Sequence, residues 1–115
     1  MKTIFVFLAT GFEEIEALAP VDVLRRAGLN VQTVSVMNEQ AVVGAHGIHV
    51  VADKMFAEIN QEDAEMILLP GGLPGATNLD EHAGLSELIL KFAEARKPLA
   101  AICAAPLVFG NRGLL

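Results

Sequence analysis

The sequence predicts an α/β fold built on a mostly parallel sheet. Two observations carry that expectation. Residues 3–8, 66–69 and 99–102 are short apolar runs that suit strands covered on both faces. Segments of helical periodicity separate them, and strand, helix, strand in that order makes a right-handed crossover unit. With 115 residues, 53% of them apolar and 19% charged, the chain can build one packed core, so residues 1–115 read as a single domain.

The first run is stopped by Ala9-Thr10-Gly11, and Phe12-Glu13-Glu14-Ile15-Glu16 then opens a helix. Ile15, Leu18, Ala19, Val21, Val23 and Leu24 recur at helical spacing, Arg25 and Arg26 fall in the last turn, and Gly28 is the stop. Pro20 removes one backbone bond, which predicts a kink or a restart near Val21. The β-branched residues between Asn30 and Val36 form a second strand. Two short strands around Gly44 and Gly47, at 41–43 and 48–51, read as a hairpin beside the main sheet. Residues 53–60 are mixed and read as a turn of helix plus loop.

The strand at 66–69 runs straight into Pro70-Gly71-Gly72-Leu73-Pro74-Gly75, and residues 79–82 read as a turn. So many glycines and prolines just after a strand mark a loop, and in an open α/β sheet binding loops lie outside the carboxyl ends of the strands. No dinucleotide or P-loop pattern is present. Leu85, Leu88, Ile89, Phe92 and Ala93 make an apolar stripe, so residues 84–96 form an amphipathic helix that returns the chain to its last strand.

That last strand delivers the only cysteine, Cys103, to the point where Ala104-Ala105-Pro106 begins a helix. The start of a helix favours an anion, and the thiolate is the nucleophilic form of cysteine. Parallel strands bring Glu13, Glu14 and Glu16, the Gly71-Gly72 loop and Cys103 to one sheet edge. There the N–H groups of Gly72 and Ala104 are placed to hold an oxyanion, and an acid of the first helix to move a proton. Glu13 and Glu14 read as solvated first-turn acids, whereas Glu16 points along the sheet edge toward Cys103.

Composition narrows the function classes. A net charge of −6 with no Trp or Tyr argues against a nucleic-acid surface. No apolar run approaches the ~20 residues of a membrane span, so the expectation is a cytoplasmic protein without membrane partners. His46 and His49 fall on opposite faces of an expected strand, which predicts no metal site.

Gly11-Phe12-Glu13-Glu14-Ile15-Glu16, the run Pro20-Val21-Asp22-Val23-Leu24-Arg25-Arg26-Ala27-Gly28, Leu69-Pro70-Gly71-Gly72 and Ala101-Ile102-Cys103-Ala104-Ala105-Pro106 together resemble the DJ-1/ThiJ/PfpI superfamily, most closely its DJ-1 and ThiJ-like branch. The resemblance implies a flavodoxin-like three-layer sandwich, related to class I glutamine amidotransferases, that works without a cofactor and forms homodimers. It implies that Cys103 is an oxidisable elbow cysteine hydrogen-bonded by Glu16, with Gly72 and Ala104 as backbone donors and Gly71 and Arg26 beside the pocket. His46 stands where DJ-1-like members carry a pocket arginine.

The implied activity is glyoxalase or deglycase chemistry on small reactive carbonyls. Oxidative-stress sensing, redox-regulated chaperone action and PfpI-type proteolysis are the alternatives, along with an inert binding domain. Members of that family continue past the elbow helix to a histidine that partners the cysteine. Residues 1–115 are therefore expected to be the N-terminal part of a longer protein. Dimerisation is expected through the first helix, on Phe12, Leu18 and Val21, and the neighbouring hairpin.

Overall fold

A computed structural model describes all of residues 1–115. Strand β1 (Thr3–Leu8) is followed by α1 (Glu14–Arg26), β2 (Val31–Ser35), the β3 (Ala41–Val43) and β4 (His49–Val51) hairpin, and β5 (Lys54–Met55). Then come β6 (Ala64–Leu69), α2 (Gly75–Glu81), α3 (Ala83–Glu94), β7 (Leu99–Ala101) and α4 (Pro106–Gly110). The main sheet has the order β5-β2-β1-β6-β7 with every pairing parallel, and β3 pairs antiparallel with β4 in a separate two-stranded sheet.

All six residues of β1 are buried because the strand is central and has a layer on each face. Its alternation divides the core. Ile4, Val6 and Leu8 pack with Ala17 and Val21 of α1 and Val42 of the hairpin. Phe5 and Phe7 pack with Ile67 and Leu69 and with Leu85, Leu88, Ile89 and Phe92 of α3, where Val108 and Phe109 of α4 join them. This is the three-layer α/β sandwich.

Several local expectations are corrected. Of the two outcomes expected at Pro20, the restart at Val21 is overturned, since α1 runs unbroken through the proline with one backbone bond forgone. Its buried face is carried by Ala17 and Val21, while Ile15 and Val23 are exposed. Residues 75–81 form α2 where the sequence predicts a turn at 79–82: Gly75 lies so close to the backbone of Phe12 that a β-carbon there would collide, and Ala76 and Leu79 are buried. Lys54 and Met55 add a two-residue strand to the edge of β2, tied by Asp53, whose carboxylate accepts from the N–H of Thr33 at 2.9 Å.

Strand order reverses beside β1, with β2 on one side and β6 on the other, so the connections leaving their carboxyl ends part to opposite faces. The crevice opened there lies between the segment after β1 and the Gly71-Gly72 segment after β6.

Candidate functional site

Three segments meet at that crevice. The backbone N–H of Glu13 donates to the carbonyl of Gly71 at 2.9 Å, and the N–H of Gly71 donates to Glu16 Oε1 at 3.1 Å. This reciprocal clasp locks the first turn of α1 onto the loop after β6. Gly71 is buried and has to be glycine on steric grounds: a β-carbon there would collide with Glu16 Oε1 and come within 2.8 Å of Cys103 Cβ. The Glu16 carboxylate and the Cys103 side chain therefore flank the same glycine.

Cys103 itself sits at the turn between β7 and α4 with φ of 59°, in the left-handed region that non-glycine residues rarely occupy. Its thiol is free and exposed. Such a conformation costs about 1–3 kcal/mol and persists where the surroundings over-determine it. The anchors are the N–H of Ile102, which donates to Leu69 at 3.2 Å, the N–H of Ala105, which donates to Ile102 at 3.0 Å, and the burial of Ala105. Helix α4 is only five residues long, so the partial charge at its start is smaller than the sequence reading supposes.

Gly72, with φ of 94°, and Ala104 are neither fully buried nor engaged, since neither N–H donates to a protein acceptor. A β-carbon on Gly72 would meet the backbone of Gly11 and Glu13, so the loop can approach α1 only as glycine. Glu16, Gly71, Gly72, Cys103 and Ala104 are thus brought together. Arg26 is not: it lies at the far end of α1, about 18 Å along the axis from Glu14, and pairs with Asp22 at 2.8 Å on the exposed surface.

His46 is also drawn elsewhere. It lies in the hairpin turn, outside β3 and β4, and its Nδ1 is 2.9 Å from Glu14 Oε1. Glu14 is not the solvated acid that its first-turn position predicts. Its side chain is buried, and its Oε2 accepts from the N–H groups of His46 at 2.8 Å and Ile48 at 3.2 Å. Burial pushes its pKa upward, but the hydrogen bonds from His46, from its own backbone N–H and from Ile48 outweigh that and hold it at about 2. The same carboxylate, with Glu13, raises the pKa of His46 above 6.5.

No spacing rule reveals this clamp, because its donors come from a hairpin more than thirty residues away. Glu13, which caps α1 by accepting from the N–H of Ile15, Glu14 and His46 place carboxylate oxygens and a ring nitrogen within 4.8 Å of one another. Hydrogen bonds already occupy both oxygens of Glu14.

No helix is long and apolar enough to cross a membrane. A model of the DJ-1/PfpI family matches residues 2–115. The Arabidopsis thaliana protein DJ-1 homolog B is 41% identical over 99% of this chain and 26% of its own length. The Danio rerio Parkinson disease protein 7 homolog is 38% identical over 98% of this chain and 60% of its own. Among solved structures, oxidised Toxoplasma gondii DJ-1 superposes with a TM-score of 0.95 at 37% identity, covering all of this chain and 63% of that one. The chain therefore spans less than two thirds of these relatives. A family match over nearly every residue and a flavodoxin-like sandwich shared with DJ-1 structures lead to one conclusion: the chain belongs to the DJ-1/PfpI family.

Proposed function

We propose that the protein is a cysteine-dependent enzyme acting on small reactive carbonyls of the glyoxal type. The observation that carries the reading is the left-handed, exposed Cys103 beside the Gly71 and Glu16 clasp, with two unengaged N–H groups next to it at Gly72 and Ala104. In this scheme the Cys103 thiolate adds to the aldehyde carbon. A C–S bond forms and the carbonyl π pair moves to oxygen, where the N–H groups of Gly72 and Ala104 hold it. Glu16 keeps one oxygen on the Gly71 N–H, leaving Oε2 to take the proton from the aldehyde carbon and return it to the neighbouring carbonyl carbon. The resulting thioester is cleaved at its C–S bond by water, which frees the hydroxy acid and the Cys103 thiolate.

The scheme needs no cofactor. The test is methylglyoxal turnover by the full-length protein and by Cys103→Ser. Loss of turnover in the variant is expected, and equal rates, or none in either, remove the enzymatic reading.

A second reading has its own support. Cys103 is exposed and is the one cysteine within residues 1–115, so none of these residues can resolve its sulfenic acid and peroxide carries it on toward sulfinic acid, the behaviour of a redox sensor. In a homodimer, the exposed Ile15 and Leu18 of α1 and Ile48 of the hairpin supply the contact. Phe12 and Val21, expected to contribute, are buried in the chain's own core. Sedimentation as a monomer at micromolar concentration removes the dimer.

A further inference from the structure

Arg112, just past α4, is buried out of proportion to its type, with a side chain only 11% exposed. Its guanidinium joins three helices. Nη1 donates to Asp80 Oδ1 at 2.6 Å and to the carbonyl of Val108 at 2.7 Å. Nη2 donates to the carbonyl of Asp80 at 2.7 Å, and Nε donates to Ser86 Oγ at 2.9 Å. The second oxygen of Asp80 accepts from Asn111 Nδ2 at 3.0 Å. Asp80 lies near the end of α2, Ser86 in the first turn of α3 and Val108 in α4.

The two helices pinned here are the ones that leave the candidate site. Helix α2 begins at Gly75, three residues after Gly72, and α4 begins at Pro106, two residues after Ala104. They are seven and five residues long. Helices this short have little stability of their own, so their placement comes from tertiary contacts. Val108 and Phe109 seat α4 in the core, but apolar contact is non-directional and leaves rotation and sliding open. The planar fork of an arginine, bonded on three of its nitrogens, closes those freedoms.

We propose that Arg112, held by Asp80, is a positioning residue that fixes the Ala104 N–H relative to the Gly72 N–H and maintains the left-handed Cys103 turn. The kinetic consequence rests on the carbonyl-addition reading above; the positional one does not. With both helix ends tied at Asp80, displacement of α4 is resisted at the far end of a helix only about 8 Å long. Without the tie, the strained turn at Cys103 loses part of what over-determines it.

The test compares Arg112→Ala, Arg112→Lys and Asp80→Asn in the full-length protein with Val31→Ala. Val31 is buried in β2 on the opposite side of the sheet, so its truncation lowers stability without touching the tie. Amide relaxation dispersion is expected to show new exchange at Gly72 and Ala104 in Arg112→Ala and Asp80→Asn, less in Arg112→Lys, and none in Val31→Ala. With methylglyoxal, kcat is expected to fall about 10–100-fold at unchanged KM in the first two, the cost of a misplaced transition-state contact. Arg112→Lys, which keeps the charge, is expected to recover part of it.

If Arg112→Ala does not fold, Asp80→Asn and Arg112→Lys supply both readouts. A wild type without turnover overturns the carbonyl reading alone, and the relaxation measurement then decides the positioning role. Relaxation that is unchanged, or changed equally in Val31→Ala, overturns that role whatever the activity.

Discussion

Replacing Gly71 with alanine tests the clasp at the centre of the site, and the sign of the effect is informative. The backbone of Gly71 is outside the left-handed region, so an alanine there is conformationally allowed. At such a position Gly→Ala ordinarily stabilises a protein by about 0.4–1 kcal/mol through the unfolded chain. Here the added carbon collides with Glu16 Oε1 and approaches Cys103 Cβ at 2.8 Å and the carbonyl oxygen of Ile102 at 2.9 Å.

Pushing Glu16 off the Gly71 N–H forfeits a hydrogen bond to a charged acceptor, about 1.5–3 kcal/mol. Crowding the elbow adds about 1–3 kcal/mol of overpacking. Against a total stability of roughly 5–15 kcal/mol, Gly71→Ala is therefore a severe lesion. Urea unfolding is the assay, and with a slope of about 1–3 kcal/mol per molar the midpoint is expected to drop by about 0.5 M or more.

Gly28→Ala is the control, since Gly28 has φ of 86° and nothing within 4 Å of an added carbon, so it reports backbone strain alone. Combining Gly71→Ala with Glu16→Ala should cost less than the two single losses added together, because the second change removes one of the colliding partners. A Gly71→Ala protein as stable as wild type, or losses that simply add, would refute the clasp.

The Glu14 and His46 clamp predicts a pH dependence. Because the pKa of Glu14 is depressed to about 2, its contribution is present above the ordinary 4.5 and is lost as pH falls toward 2. The raised His46 contributes below 6.5, and that part is lost as pH rises through its folded value. Thermal melts across pH should show both limbs in wild type and a flatter profile in Glu14→Gln, with hydrogen exchange faster at His46 and Ile48. Arg96 holds φ of 57° just past the end of α3, so Arg96→Gly is expected to raise stability by about 1 kcal/mol, and an unchanged or lower melting temperature counts against the strain. Under a peroxide series, intact mass is expected to show a different balance of sulfenic and sulfinic Cys103 in Glu16→Asp and Glu16→Gln than in wild type, and identical distributions separate Glu16 from the cysteine.

Much of the frame was legible because it depends on local pattern. The run at residues 3–8 matches β1 residue for residue, since a strand buried on both faces is apolar along nearly its whole length. The amphipathic stripe at 84–96 matches α3 to within two residues at its end. The hairpin, too, followed from its glycines. What escaped depended on partners distant in sequence. Helix α2 begins in a Gly- and Pro-rich segment that reads as loop by composition, and only its packing against Phe12 and α4 makes it a helix. In α1 the apolar positions overstate the core face, because Ile15 and Val23 belong to the outer surface of the same helix.

The three glutamates show the limit most clearly. Glu13, Glu14 and Glu16 fall within four residues at the start of one helix, and the dipole favours all of them equally there. Folding gives each a different partner. Glu13 turns back on its own helix and caps Ile15. Glu14 projects to the hairpin, where a β-carbon on Gly44 would collide with its carboxylate, so that glycine and that acid require each other. Glu16, two residues on, is rotated by about 200° around the axis and so leaves the hairpin side for the Gly71 loop. The acid at the site is thus selected by helical phase. Glu14 fixes that phase from the opposite side by anchoring the first turn to the hairpin, so its removal should loosen the Glu16 clasp without touching Gly71 or Cys103.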